Sequence, residues 1–148
     1  MVDVTTAIVI ARPRREVADF AANPDNAPSW YVNIENVEWK TAPPLGPGSR
    51  IPFIARFLGK RLVYTYEVIE FIPEKRLTMR TSEGPFPMET TYEWQTVESG
   101  TRMTLRNRGT PGGFSALIAP FLSVAVRRAT RKDLAALKLL LERRSAVS

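Results

Sequence analysis

The chain has 148 residues, a hydrophobic fraction of 44%, no cysteine and no histidine. This is enough chain for one domain with its own core, read here as residues 1–148, and no apolar stretch approaches the ~20 residues of a membrane-spanning helix. Without cysteine or histidine there is no disulfide, no thiolate nucleophile and no imidazole base, so catalytic triads and most zinc or iron sites are excluded and no metal or other cofactor is expected.

Residues 3–11 alternate and are rich in Val, Ile and Thr, the pattern of a strand. Pro13 suits a first helical position, and a short helix is expected to run to Ala22, where Asn23-Pro24-Asp25 stops it. A second helical turn over Asn26 to Trp30 follows. The chain then reads as six extended segments, at 31–41, 49–58, 61–72, 76–82, 87–97 and 101–108. The breaks between them carry turn chemistry, as in Pro43-Pro44-Leu45-Gly46, Gly59-Lys60, Pro73-Glu74-Lys75 and Glu98-Ser99-Gly100. At Pro111-Gly112-Gly113 the alternation ends. A helix from Pro120 to Arg144 would be ~37 Å long, enough to cross a sheet. Leu122, Ala125, Val126, Ala129, Ala136, Leu137 and Leu140 form its expected apolar side.

Charge is unevenly placed. The final stretch holds Arg127, Arg128, Arg131, Lys132, Lys138, Arg143 and Arg144 against only Asp133 and Glu142, which accounts for nearly all of the net +6. Such a face suits an anionic surface, or it is a solvated helix side whose cations complement the helix dipole. No aromatic residues interleave with these arginines to stack bases, so nucleic acid is not expected as a partner and membrane contact is at most transient. The first residues show no secretory signal, and a cytoplasmic location is the expectation.

Parity assigns the two faces of the strands. Ile51, Phe53, Ala55 and Phe57 share one side of their strand, with Arg50 and Arg56 on the other. Leu62, Tyr64, Tyr66 and Val68 oppose Arg61, Thr65 and Glu67. Leu77, Met79 and Thr81 oppose Arg76 and Arg80. Met88, Thr90, Tyr92 and Trp94 oppose Glu89, Glu93 and Gln95, and Met103, Leu105 and Asn107 oppose Arg102, Arg106 and Arg108. Around residues 68–72 the parity is ambiguous and Glu70 stays unassigned.

The order of elements resembles the helix-grip fold of the START/polyketide-cyclase superfamily, also called SRPBCC. The likeness is carried by Ile10-Ala11-Arg12-Pro13, Asn23-Pro24 leading to Trp30, Tyr66-Glu67-Val68-Ile69-Glu70-Phe71-Ile72-Pro73, Gly100-Thr101-Arg102-Met103-Thr104 and Leu134-Ala135-Ala136-Leu137-Lys138. It implies an α+β fold: a curved antiparallel sheet of about seven strands around a long C-terminal helix, with two short helices after the first strand. It also implies a cavity between sheet and helix that takes a hydrophobic small molecule.

The inward parity set makes Trp30, Phe53, Phe57, Tyr64, Tyr66, Met79, Met88, Tyr92, Trp94, Asn107, Phe121 and Ala125 the candidate ligand-binding residues, unless the same side chains simply fill a dry core. Two carboxylates are weak catalytic candidates. Glu35 shares parity with Val37 and Trp39 and points inward if that strand keeps register; a bulge or the sheet edge would leave it wet. Asp133 lies in the helix's apolar arc, where it pairs with an arginine, reaches water, or acts on a substrate. Asn107 either orients a ligand carbonyl or caps the turn toward Pro111. Phe86 and Phe114 either gate a mouth or staple loops to the core. Three functions follow as expectations: a carrier of a lipid, isoprenoid or aromatic polyketide; a cofactor-free cyclase/dehydratase using pocket tyrosines or a buried carboxylate; and an interaction module working through the basic helix.

Overall fold

The computed structural model describes residues 2–57, 59–83, 87–109 and 119–147. Strand β1 (Val2–Ile10) leads into α1 (Arg14–Ala22), a 3₁₀ turn (Pro24–Asn26) and α2 (Ala27–Trp30). Six strands follow: β2 (Ile34–Val37), β3 (Arg50–Phe57), β4 (Lys60–Ile72), β5 (Arg76–Glu83), β6 (Met88–Val97) and β7 (Gly100–Gly109). Helix α3 (Ala119–Val147) ends the order. All seven strands form one antiparallel sheet ordered β1-β7-β6-β5-β4-β3-β2. This is the helix-grip architecture that the order of elements implied.

Each local feature has a residue-level cause. Pro13 occupies the cap position of α1, and the Asn23 side chain accepts from the Asp25 N–H to turn the chain into the 3₁₀ segment. Gly100 takes φ of 146° at the β6–β7 turn, where a Cβ would collide with the backbone of Ile10 and Ala11. β2 is shorter than its alternation suggests, four residues only, and its pairing with β3 shifts register between Ile34 and Asn36. A second shift between Val68 and Glu70 explains why parity fails there: the bulge turns Glu70 outward to Arg76.

Helix α3 covers the sheet beside β1 and touches α2. Its buried side is rotated from the expected one. Thr130, Asp133, Leu134, Leu137 and Leu141 are buried, while Leu122, Ala125, Val126, Ala129, Ala136 and Leu140 are only half-buried. The five buried residues recur at helical spacing, so the periodicity holds with a different phase. Polar anchors set that phase. Lys138 Nζ donates to the carbonyl of Val9 at 2.8 Å and to Glu142 Oε2 at 2.6 Å. The Ala11 N–H donates to the same Glu142 oxygen at 2.9 Å. These contacts tie the helix to the end of an edge strand whose backbone groups would otherwise be open.

Candidate functional site

The concave face has two unlike ends. At one, α1 and α2 press Val17, Ala18, Ala21, Ala27 and Trp30 against Leu77, Met79, Tyr92, Trp94 and Met103, all buried in one cluster with Leu134, Leu137 and Leu141. The free space between the short helices and Phe53, Leu77, Met79 and Tyr92 is about 10 Å³, room for little more than one water. This end is core.

At the other end, inward-facing residues keep contact with solvent. Ala55, Leu62, Tyr64, Tyr66, Thr81, Met88 and Asn107 are half-buried, although Ile51, Val68, Met79, Tyr92 and Leu105, on the same sides of their strands, are buried. Register brings them together: Ala55 lies opposite Leu62, Phe53 opposite Tyr64, and Tyr66 opposite Thr81. Together they present uncharged apolar and aromatic surface, with hydroxyl and amide groups on it, that stays partly open to solvent. A concavity of about 520 Å³ lies in a different place. It lies outside the sheet and is lined by charged and hydroxyl groups including Asp3, Glu93 and Arg106, so it does not suit an apolar guest.

Polar groups are few in the interior and linked to one another. The hydroxyls of Tyr31 and Tyr92 hydrogen-bond directly, so one phenol donates to the other and a single O–H proton is left over. Burial is the first cause holding both hydroxyls above the ordinary tyrosine range, aided by their mutual contact for Tyr31 and by the charges of Tyr66 and Asp133 for Tyr92. Burial likewise pushes Tyr66 up to about 12. These phenols are neutral donors at physiological pH, not bases. Thr90 bridges Tyr66 and Asn107, donating to Asn107 Oδ1 at 2.7 Å. Asn107 is thereby engaged on the sheet rather than serving as a turn cap.

Asp133 is the interior's carboxylate. It is 4% exposed, accepts the Val32 N–H at 2.9 Å, and burial pushes it up to about 6. Glu35, the other acidic candidate, is removed from the interior by the β2 bulge: it is exposed and ion-paired with Arg56. The indole nitrogens of Trp30 and Trp94 are buried without a hydrogen-bond partner among the described residues, whereas Trp39 Nε1 donates to Asp25 Oδ1 at 2.8 Å.

The sequence candidates therefore separate. Trp30, Phe53, Met79, Tyr92 and Trp94 are core; Tyr64, Tyr66, Met88, Asn107 and Ala125 are half-buried. Phe121 is a correction, since it is 77% exposed on the outer side of α3 and does not reach the interior. The side chain of Phe57, and Phe86 and Phe114 whole, lie outside the described residues. Sequence reasoning missed Tyr31, which stacks on Trp30 with ring centroids 4.1 Å apart. The available signal was its place at the end of α2, beside a residue already singled out. Among the described residues no cluster of three acidic side chains could hold a metal ion, and no helix is long and apolar enough to cross a membrane.

Comparison with known proteins places this arrangement. Residues 1–142 match the family described as polyketide cyclase / dehydrase and lipid transport. Among solved structures, TTHA0849 from Thermus thermophilus is 23% identical with a TM-score of 0.80, covering 99% of each chain. The Zhui aromatase/cyclase from Streptomyces sp. R1128 is 18% identical with a TM-score of 0.81, covering 97% of this chain and 94% of that one. The di-domain ARO/CYC BexL from the BE-7585A biosynthetic pathway is 23% identical with a TM-score of 0.77; the match covers 96% of this chain and 47% of that one. At these identities the structural likeness speaks for fold. No match was found among curated proteins.

Proposed function

The chain belongs to the polyketide cyclase/dehydrase and lipid transport family, and from that membership and its half-open interior we propose that it binds a hydrophobic small molecule at the Tyr64–Tyr66 end of the concave face. The observation that carries this reading is the exposure gradient along the strands: uncharged inward side chains that no other element among the described residues fully buries. Such surface is costly to leave in water, at roughly 25 cal/mol per Å², and a guest that covers it recovers that free energy. The ligand class is a lipid, isoprenoid or aromatic polyketide. Phenol and amide groups from Tyr64, Tyr66 and Asn107 give orientation to a guest bearing oxygen acceptors.

The test is binding of an apolar fluorescent probe to the folded chain, with mass spectrometry of whatever co-purifies from the native host. Saturable binding that competes with the extracted compound is expected. No probe binding and no extracted compound would overturn the reading.

A second reading is favoured by Asp133. A carboxyl group at about 6 beside two neutral phenols can exchange a proton near neutral pH, as an aromatising cyclisation or dehydration requires. The aromatase/cyclase structures that share the fold make this chemistry the one to try. Asp133→Asn should then abolish turnover of a poly-β-ketone substrate while probe binding persists; unchanged turnover would leave the carrier reading alone.

A further inference from the structure

We propose that the outer side of α3 is a docking surface for anionic lipid bilayers. Phe121, Val124 and Leu139 are 77%, 68% and 54% exposed, and Arg128, Arg131 and Lys132 are exposed among them. At 100° per residue these six fall on the helix side opposite the buried Thr130, Leu137 and Leu141.

The outer side of α3 combines unpaired cations with exposed apolar side chains and, among the described residues, has no acid among them; the outer face of the sheet, where Arg61, Arg80 and Arg102 are also exposed, carries several acids. On the outer face of the sheet, cations sit against acids: Arg50 with Glu67, Arg56 with Glu35, Arg106 with Asp3 and Arg108 with Glu89. On the outer side of α3, Arg128, Arg131 and Lys132 have no acidic partner among the described residues. Both acids of the described helix are spent elsewhere, Asp133 in the interior and Glu142 on Lys138 and Ala11.

Unpaired cations among exposed aliphatic side chains, with Phe121 at one end, fit a surface that is negative and has an apolar interior a few ångströms beneath. Lysine and arginine stems allow their charges to stay at headgroup level while Phe121, Val124 and Leu139 enter the acyl boundary. Nucleic acid fits less well, because Val124 and Leu139 offer no stacking platform. The surface is separate from the Tyr64–Tyr66 end of the concave face, so it holds whether or not that end binds a guest.

The experiment is co-sedimentation of the full chain with vesicles of phosphatidylcholine alone and with about a third phosphatidylglycerol. Association with the anionic vesicles only, released by salt, is expected. Arg128→Glu with Arg131→Glu should lower the partition coefficient more than about 25-fold, and Phe121→Ala about tenfold, with thermal melting unchanged because these side chains are exposed. If a charge-reversed variant unfolds, Arg128→Gln alone should still lower partitioning about fivefold. Equal association with neutral vesicles would overturn the proposal, as would no association with anionic ones or unaltered binding by folded variants. Capture of single-stranded RNA without vesicle binding, or self-association that covers Phe121, would overturn it as well.

Discussion

The two ends of the concave face are made from the same alternating strands, yet one is core and the other is wet. Leu77, Met79, Tyr92, Trp94 and Met103 are buried because α1, α2 and the Leu134–Leu141 part of α3 lie over them. Ala55, Leu62, Tyr64, Met88 and Asn107 share that inward direction and remain half-exposed. Strand parity thus decides which face a residue occupies. What lies above that face decides whether it stabilises the fold or meets a ligand.

The strongest way to break this comparison is at its packed end. Leu137 is fully buried within the central cluster. Leu137→Ala removes contacts that the neighbouring helices cannot refill, and about 2–5 kcal/mol of stability should be lost in urea titrations. A loss well below about 1 kcal/mol would mean that this end is not close-packed.

The next effect sits where a titratable group enters the packed end. Asp133 is raised from 3.8 to about 6 in the folded chain, chiefly by burial. The folded state therefore holds its proton more tightly than the unfolded state. Stability should fall as pH rises from about 4 to about 6, then level off, with a total change of about 2–3 kcal/mol. Asp133→Asn keeps an oxygen for the Val32 N–H and removes the buried charge. It should flatten that part of the pH profile and raise stability at pH 7 by about 2 kcal/mol. A mutant less stable than the parent at pH 7 would show that the charge is better compensated than its surroundings indicate.

Much of this frame is legible in the sequence. Turn residues and alternation locate the strands, and parity alone assigns every inward residue found in the central cluster of β5 to β7. The phase of α3 is not legible, because its side is fixed by long-range polar contacts, Lys138 to Val9 and Asp133 to Val32, that no local pattern announces. Leu134 and Leu141 escape the sequence pattern for that reason, and Phe121 is wrongly expected inside. Glu35 depends on a bulge, which inserts a residue without a signature of its own. Tyr31 has a local signal in its place beside Trp30, but its hydroxyl's partner, Tyr92, is 61 positions away. The gradient from core to wet end is also hidden, since it depends on which strand ends α1 and α2 reach.

The smallest expected change is the sharpest control. Leu62→Ala is the same substitution as Leu137→Ala, made on the same concave face but at the wet end, opposite Ala55. Part of the benefit of burying Leu62 is already forgone to solvent and its removal leaves no sealed cavity, so the cost should stay well below that of Leu137→Ala, at about 1 kcal/mol. Its effect should appear instead in ligand affinity, as a probe dissociation constant weakened by up to about tenfold with the melting temperature nearly unmoved. If both leucines prove equally costly to stability and neither alters probe binding, the two ends are one core and the wet end is not a binding site. A split result, stability lost at Leu137 and affinity lost at Leu62, ties the division of labour to the cover that α1, α2 and α3 provide.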